Sequence, residues 1–558
     1  MFGQVMGKGL AAGLVLVVSC GGSSGGKGAM EVVVPDVALE TTTPDTRDAA
    51  GPQELVGERD MGVEDVAFET VDASEDKAVE TPTPDTFSPE AGPDTPAEVE
   101  DAAGDETLGP TDAPPDVPAP ALYTIEDGCA VPVNYTFPLC EGVTCPPGTE
   151  CMGFGACVPE GPFLLEGDPT HSHVKPALLA EDDGGFAVAW YEVAEGSAWM
   201  DIRFRRFNPD GTPKGPAIKV DEDELPWARS PSITRLASGG FFVIWRSQES
   251  TSGKVAYHGR VLDMEGVPVG SSFPLNTTEL EPELSAASNV DSPFGRLLRD
   301  KKLAVAWSGE PKGQTHNVNV YLRVFTPEGA PFTGEIDTGG ATDLDESSAV
   351  VLDAPGDGLV LLWQSGVLWQ EYRIRAVRVN GAGKVVPPVL DLSKGDEVFE
   401  GMPAAAAFVG EASADFALVT YKTRASSVTT DSTRIRALLL EFKTMKPAAF
   451  YDVGADPLGS YPFYAPVEVG AWDRALVVFH VSGGESGGIY GRRFYMPGQV
   501  WDCDTTGISG EKEPAEAGIF SMPAVTAFQD GRFLLAWDTA FKAPDGSNKT
   551  RIKLRFLR

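Results

Sequence analysis

The strongest constraint on this chain is a repeat. The stretch DDGGFAVAW, Asp182 to Trp190, joins a tight turn to an alternating run that ends in an aromatic, and close relatives of it recur. They are SGGFFVIW ending at Trp245, KKLAVAW at Trp307, GDGLVLLW at Trp363 and QDGRFLLAW at Trp537. ALVTY and ALVVF keep the pattern with Tyr421 and Phe479 in the aromatic place. Successive aromatics lie 55, 62, 56, 58, 58 and 58 residues apart. A fixed period combined with two-residue alternation calls for repeated β-units.

The rest of each unit repeats as well. About 15 residues after each aromatic comes a second alternating run: DIRFRRFNPDG, VAYHGRVLDMEG, VNVYLRVFTPEG, YRIRAVRVNGAG, TRIRALLLEFK, GIYGRRFYMPG and TRIKLRFLR. Most of these close on a Gly-containing turn followed by a short strand, while Pro176, Pro231, Pro282, Pro403, Pro466 and Pro523 open the strand ahead of the aromatic one. Four short strands linked by tight turns make one propeller blade, so the expected fold is an all-β, seven-bladed β-propeller over residues 161–558. The last unit stops at its third strand, and GPFLLEGD, Gly161 to Asp168, is the strand expected to complete it and close the ring. A pair of β-sandwiches, the alternative, leaves the equal periods unexplained.

Units of the form DGGFxVxW, GIYGxRF and a D-G turn resemble the repeat of large surface proteins and envelope lipoproteins of Gram-negative bacteria. GIYGRRF at Gly488 and DDGGFAVAW at Asp182 match best, and the third, fifth and sixth units depart by lacking the Gly-Gly or the Trp. The resemblance describes scaffold positions, and no catalytic residue follows from it.

The first thirty residues read as an export signal: Lys8, then an apolar run from Leu10 to Val18, too short to span a bilayer. Val17-Val18-Ser19-Cys20 resembles the bacterial lipobox, which implies a signal peptide over 1–19, acylation at Cys20 and, with Gly21 next, anchoring in the outer membrane through an N-terminal lipid. Residues 20–128 follow as an expected disordered stalk. Residues 31–120 hold 13 prolines and a net charge of −22, more than half of the −38 of the whole chain. Such a segment cannot bury enough apolar surface to offset its ordering entropy. The same acidity disfavours nucleic acid as a partner.

Six cysteines remain: Cys129, Cys140, Cys145, Cys151, Cys157 and the distant Cys503. An even number in an exported chain points to disulfides, with 15 pairings open from sequence alone. The spacing within CEGVTCPPGTECMGFGACV resembles the small hairpin of follistatin-type and EGF-like modules, which marks 129–160 as a Cys-rich module. That resemblance implies Cys140–Cys151 and Cys145–Cys157 and leaves Cys129 for Cys503. A zinc site is disfavoured because no His lies in the cluster.

Chemistry is sparse. No nucleophile elbow, phosphate loop, dinucleotide fingerprint or zinc-protease motif occurs, so no catalytic residue, cofactor or metal is expected. The acidic runs at Asp221 and Asp343 lack the spacing of a calcium loop and read as solvated turns. His171 and His173 read as loop residues. The arginines of the third strands (Arg206, Arg260, Arg323, Arg378, Arg493, Arg555) read as inter-blade partners of carboxylates. Loops from strand two to three and from four to the next blade vary and share one face, where function concentrates on rigid scaffolds. Trp199, Trp227, Trp369, Tyr461, Phe463 and Tyr464 fall there as candidate contacts to a protein or carbohydrate ligand, or as a roof over the core. The sequence thus describes a monomeric binding or scaffold lipoprotein, facing the periplasm or the cell exterior. The alternative is a propeller hydrolase or lyase acting on polysaccharide. Carboxylates or a His gathered at the channel mouth would favour the enzyme.

Overall fold

The computed structural model describes residues 123–126, 129–132, 140 and 142–558, apart from 153–154, 166, 169, 195, 198, 223–226, 249–253, 282–291, 315–316, 339–343, 357, 368–370, 398, 411–412, 425–432, 456–460, 464, 483–487, 504, 509–521 and 544. The signal segment, Cys20 and the stalk as far as residue 122 lie outside the described residues, as do Pro282, Trp369 and Tyr464.

The predicted units are antiparallel four-stranded sheets, numbered here as blades. Blade 1 is His171–Ala180, Phe186–Ala194, Met200–Phe207 and Ile218–Lys219. Blade 2 is Arg229–Arg235, Phe241–Gln248, Val255–Leu262 and Pro268–Pro274. Blade 3 is Phe294–Leu297, Leu303–Pro311, Asn319–Phe325 and Ile336–Asp337. Blade 4 is Asp345–Ala354, Gly358–Val367, Glu371–Asn380 and Val385–Asp391. Blade 5 is Phe399–Ala407, Phe416–Arg424, Thr433–Glu441 and Lys446–Ala455. Blade 6 is Val467–Gly470, Arg474–Ser482, Gly488–Tyr495 and Val500–Trp501. Blade 7 takes Ala524–Ala527, Phe533–Lys542 and Asn548–Leu557 from the end of the chain and Phe163–Leu164 from ahead of blade 1. Leu554 pairs with Phe163 and Lys553 with Leu164, so the strand expected to close the ring does so. Inner strands pack on one another from blade 1 through blade 7 and back to blade 1. The protein is a β-propeller, and closing the ring leaves no open edge between its first and last sheets.

The period has a packing cause. Trp190, Trp245, Trp307, Trp363 and Trp537 are all buried to 1% exposure or less. Each joins the hydrophobic cluster it shares with the preceding blade: Trp190 with Leu534 and Leu554, Trp245 with Ala187 and Ala189, Trp307 with Ile244, Trp363 with Ala304 and Ala306, and Trp537 with Leu476 and Val478. Tyr421 and Phe479 do the same against blades 4 and 5. A single blade has two apolar faces and cannot cover either alone. Each such aromatic buries about 150–250 Å², on the order of 4–6 kcal/mol of transfer free energy, only when the neighbouring blade is present. In several blades the turn before the aromatic strand takes a left-handed residue, supplied by Gly184 (φ 80°), Gly239 (φ 89°) and Gly531 (φ 88°). In blade 3, which lacks the glycine, Lys301 takes this conformation at φ 67°.

The third-strand arginines staple blades through backbone carbonyls and, at Arg206, Arg260 and Arg493, also pair with the carboxylates of Glu181, Glu222 and Asp502. Arg260 donates through Nε to Gly270 of its own blade and through Nη1 to Val220 of blade 1. Arg323 repeats this with Thr333 and Leu275, and Arg555 reaches Ile508 of blade 6. In blade 6 the residue in this place is Arg492, which donates to Asp502 and Val453, and in blade 1 it is Arg205, which donates to Gly215. Arg206, Arg378 and Arg493, one step along the strand, turn to the following blade instead and reach Met264, Lys443 and Arg558. Outer strands end where inter-blade carbonyls have lost their ladder partners, and a five-donor fork satisfies two of them at once.

The described residues begin ahead of Cys129, with a hairpin of Tyr123–Glu126 and Cys129–Pro132. Its second strand runs parallel beside Asp502, the Cys503 N–H donates to the Ala130 carbonyl at 2.9 Å, and Tyr123 lies 4.3 Å from Tyr495 between ring centroids. The three disulfides are Cys129–Cys503, Cys140–Cys151 and Cys145–Cys157. Cys503 sits two residues past the outer strand of blade 6. A second hairpin, Thr149–Met152 and Ala156–Pro159, buries Met152 and Val158 in the cluster shared by blades 7 and 1.

Candidate functional site

The inner strands define the first part of the site. Each pairs with its blade along one edge and turns the other toward the axis, where N–H groups have no ladder partner. Proline removes that donor, which is why it is tolerated on a strand edge. Pro176, Pro231, Pro293, Pro403, Pro466 and Pro523 line a central cavity of about 360 Å³, with Ala349 in the place of proline in blade 4. In blade 3 the position belongs to Pro293, not to the expected Pro282.

Above this ring lies a polar layer that sequence reasoning missed. Because strand residues alternate faces, the residue after each aromatic faces the following blade. These residues are Tyr191, Arg246, Ser308, Gln364, Lys422, His480 and Asp538. Where the preceding positions in the strand are mostly apolar, with Thr420 of blade 5 and Arg474 at the start of blade 6 as exceptions, this one carries seven different side chains. At the same level the inner strands of blades 1, 2, 4 and 5 shift register, between Val174 and Ala177, Arg229 and Ser232, Ser347 and Val350, and Gly401 and Ala404. Lys175, Ser230, Ser348 and Met402 sit in these bulges at φ 51–57°. A bulge bends the strand and re-aims its side chains, a device common beside functional sites. Gln364 donates to Ser347 Oγ at 2.6 Å and accepts the Met402 N–H at 2.7 Å, tying blade 4 to the bulge of blade 5. Asp538 accepts the Met522 N–H at 3.3 Å. Burial, and then the charge of Asp538, push the Tyr191 phenol up to about 12, against the pull of Arg229. Burial, with Arg424 adding repulsion, brings the Lys422 ammonium down to about 8.

Toward the tight-turn face the cavity carries an ion pair. Arg296 of blade 3 meets Glu468 of blade 6 at 3.8 Å. These blades are not adjacent in the ring, so the pair reaches across the axis. Glu468 is the one carboxylate lining the cavity among the described residues, and it is paired. At the other level the Lys175 ammonium donates to Ser230 Oγ at 2.9 Å.

The predicted site residues are scattered. Trp199 stands on the variable-loop face at 53% exposure, whereas Trp227 is half-buried at φ 64°. Tyr461 and Phe463 fall on the short strand Tyr461–Phe463, paired with Ser482 and His480. His171 and His173 are not loop residues: both lie on the inner strand of blade 1, with His173 buried 3.5 Å from Glu192 and His171 3.1 Å from Asp168. Nor are the acidic runs simply solvated turns. Asp221 is buried and accepts the Ile202 N–H at 2.6 Å, and burial raises its pKa to about 7. Among the described residues no group of three or more His, Cys, Asp or Glu side chains is placed to hold a metal ion.

Glu346, from the second acidic run, is 1% exposed at the level of the polar layer. Burial raises its pKa to about 7, opposed by the Trp363 indole and by Arg375. A carboxyl whose folded pKa lies above its unfolded value contributes fully below the unfolded pKa and loses that contribution as pH rises through about 7. Glu346→Gln should therefore stabilise the protein at pH 8, by on the order of 1–3 kcal/mol, and the gain should vanish near pH 4. Denaturant melts of both proteins across this range check it; an equal gain at every pH would show that charge is not the cause.

No protein-family model matches the chain, and no curated protein matches its sequence. Among solved structures the chain is similar to a protein of unknown function from Dyadobacter fermentans, at 10% identity and a TM-score of 0.43, over 74% of this chain and all of that one. It is also similar to an α-L-arabinofuranosidase from Fusarium graminearum, at 13% identity and a TM-score of 0.38, over 71% of this chain and 95% of that one. The NanB sialidase from Streptococcus pneumoniae is similar at 10% identity and a TM-score of 0.36, over 71% of this chain and 70% of that one. Likeness at this level transfers no activity to the chain.

Proposed function

We propose that this protein is a ligand-binding propeller held at the cell envelope by a lipid on Cys20, with the acidic stalk as its tether. The observation that carries the binding reading is the polar layer. Repeat positions that serve the scaffold are filled largely alike from blade to blade, whereas Tyr191, Arg246, Ser308, Gln364, Lys422, His480 and Asp538 differ at one equivalent place in the second strand. A layer that served only packing would gain nothing from such variety, because burying a polar group costs unless it is satisfied. Trp199, exposed on the same face, offers a flat apolar surface for a sugar ring or a peptide side chain. The pairing of Glu468 with Arg296 at the axis supports binding over acid–base catalysis on polysaccharide.

One set of experiments tests both halves. Probing arrays of neutral, uronic-acid and sulfated oligosaccharides and of peptides with the full chain should yield a class of hits that weakens at least tenfold in Trp199→Ala. Depolymerisation of a polysaccharide by the wild type, with no retained binding, would replace the reading with the hydrolase or lyase one. In the cell, wild type should take up labelled palmitate and partition with membranes while Cys20→Ala is released; unlabelled, membrane-bound wild type would sink the lipid anchor.

A further inference from the structure

One member of the polar layer is in an energetically costly position. Arg246 is 2% exposed. It continues the row of Phe242 and Ile244, which fill the interface of blades 2 and 3. Directly opposite it stand Arg229 on the inner strand and Tyr257 on the third strand. The Tyr257 hydroxyl is turned away, donating to the Ser308 carbonyl at 2.6 Å. Nη1 of Arg246 is buried with no hydrogen-bond partner among the described residues, and none of their carboxylates forms an ion pair with it. Its counterpart in blade 4, Gln364, has both ends of its amide satisfied.

Desolvating a cation without a counter-charge is unfavourable. A Leu or Met here would extend the apolar row at no such cost. Among the described residues Arg246 itself has no counter-charge, so an entering anion would supply one, and the planar guanidinium fork fits two oxygens of a carboxylate, sulfate or phosphate side by side.

We propose that Arg246, with Arg229 opposite, is the anion-binding end of the ligand site, so that the ligand carries an oxyanion that docks between blades 2 and 3 beside the channel. The proposal rests on the reading that the polar layer binds a ligand, and deepens it by naming the charge. Ser230, next to Arg229, brings the Lys175 ammonium to the same corner.

Thermal melts of the full chain test it, in sodium acetate, glucuronate, sulfate and phosphate against sodium chloride at matched ionic strength. Sulfate and phosphate strengthen burial in any protein, so the signal is the response of wild type minus that of Arg246→Met. With at least one oxyanion near saturation, the melting temperature of wild type should rise by about 2 °C or more above the rise seen for Arg246→Met. Acetate and glucuronate would mark a carboxylate ligand; sulfate and phosphate would mark an ester. In chloride, Arg246→Met should melt at or above wild type, since it removes an uncompensated charge, and Arg246→Lys should keep part of the anion response. An unchanged anion response in Arg246→Met, or a melt in chloride several degrees below wild type, overturns the subsite. Array hits lost in Trp199→Ala would still uphold ligand binding in that case, so the two readings fail separately.

Discussion

A chain that begins at residue 169 should unfold or aggregate, whereas one that begins at Tyr123 should melt like the full-length protein. The shorter chain loses Phe163–Leu164, so the Asn548–Leu557 strand of blade 7 becomes an open edge. It also loses Leu165, Met152 and Val158, all under 5% exposed, and so uncovers Phe186, Ile552, Leu554 and Phe556 in the cluster they share. Four apolar side chains, counting Phe163, each contribute about 1.5–3 kcal/mol on burial, on the order of 6–12 kcal/mol together. That rivals the whole stability of an ordinary domain. Soluble yield and thermal melts of the two truncations check this, and equal melting temperatures would show that the ring does not depend on its N-terminal strand.

Cys503→Ser should be the most damaging single substitution outside the core. Its partner Cys129 lies 374 residues away, and the bridge ties the first hairpin to the rim of blade 6. In the chain-entropy model a loop of that length is worth roughly 6 kcal/mol, a ceiling because the unfolded chain is also held by two short bridges and by residual structure. The two local bridges, 11 and 12 residues apart, are worth about 3 kcal/mol each in the same model, half as much. Denaturant midpoints should therefore fall about twice as far for Cys503→Ser as for Cys157→Ser relative to wild type. Comparable losses would place the effect in local packing.

Much of the architecture was legible because it repeats. A residue buried between blades must recur at every interface, so the aromatic period, the alternation and the turn glycines can be read from one chain without any coordinates. The lone strand Gly161 to Asp168 was legible by elimination, since a unit one strand short must find its fourth elsewhere. The staples were half legible. Arg260, Arg323 and Arg555 were correctly placed, but in RR pairs a one-residue choice decides which blade the side chain faces, and register alone settled it for Arg205 and Arg492. His171 and His173 were misread as loop residues because the bulge at Lys175 lets the inner strand of blade 1 continue past the point where its pattern breaks.

The polar layer could have been found in the sequence, one place after each aromatic, where the repeat stops repeating. What the sequence by itself determined was the strand order and the aromatic wedge that the interfaces share, together with the strand that closes the ring. The tertiary structure alone decided which of the differing residues lose water and partners. Arg246 and Gln364 occupy the same place in the pattern, yet one is satisfied by a neighbouring bulge and the other is not. Desolvation and pairing depend on what stands across a gap from residues far away in the chain, and no local pattern records that distance.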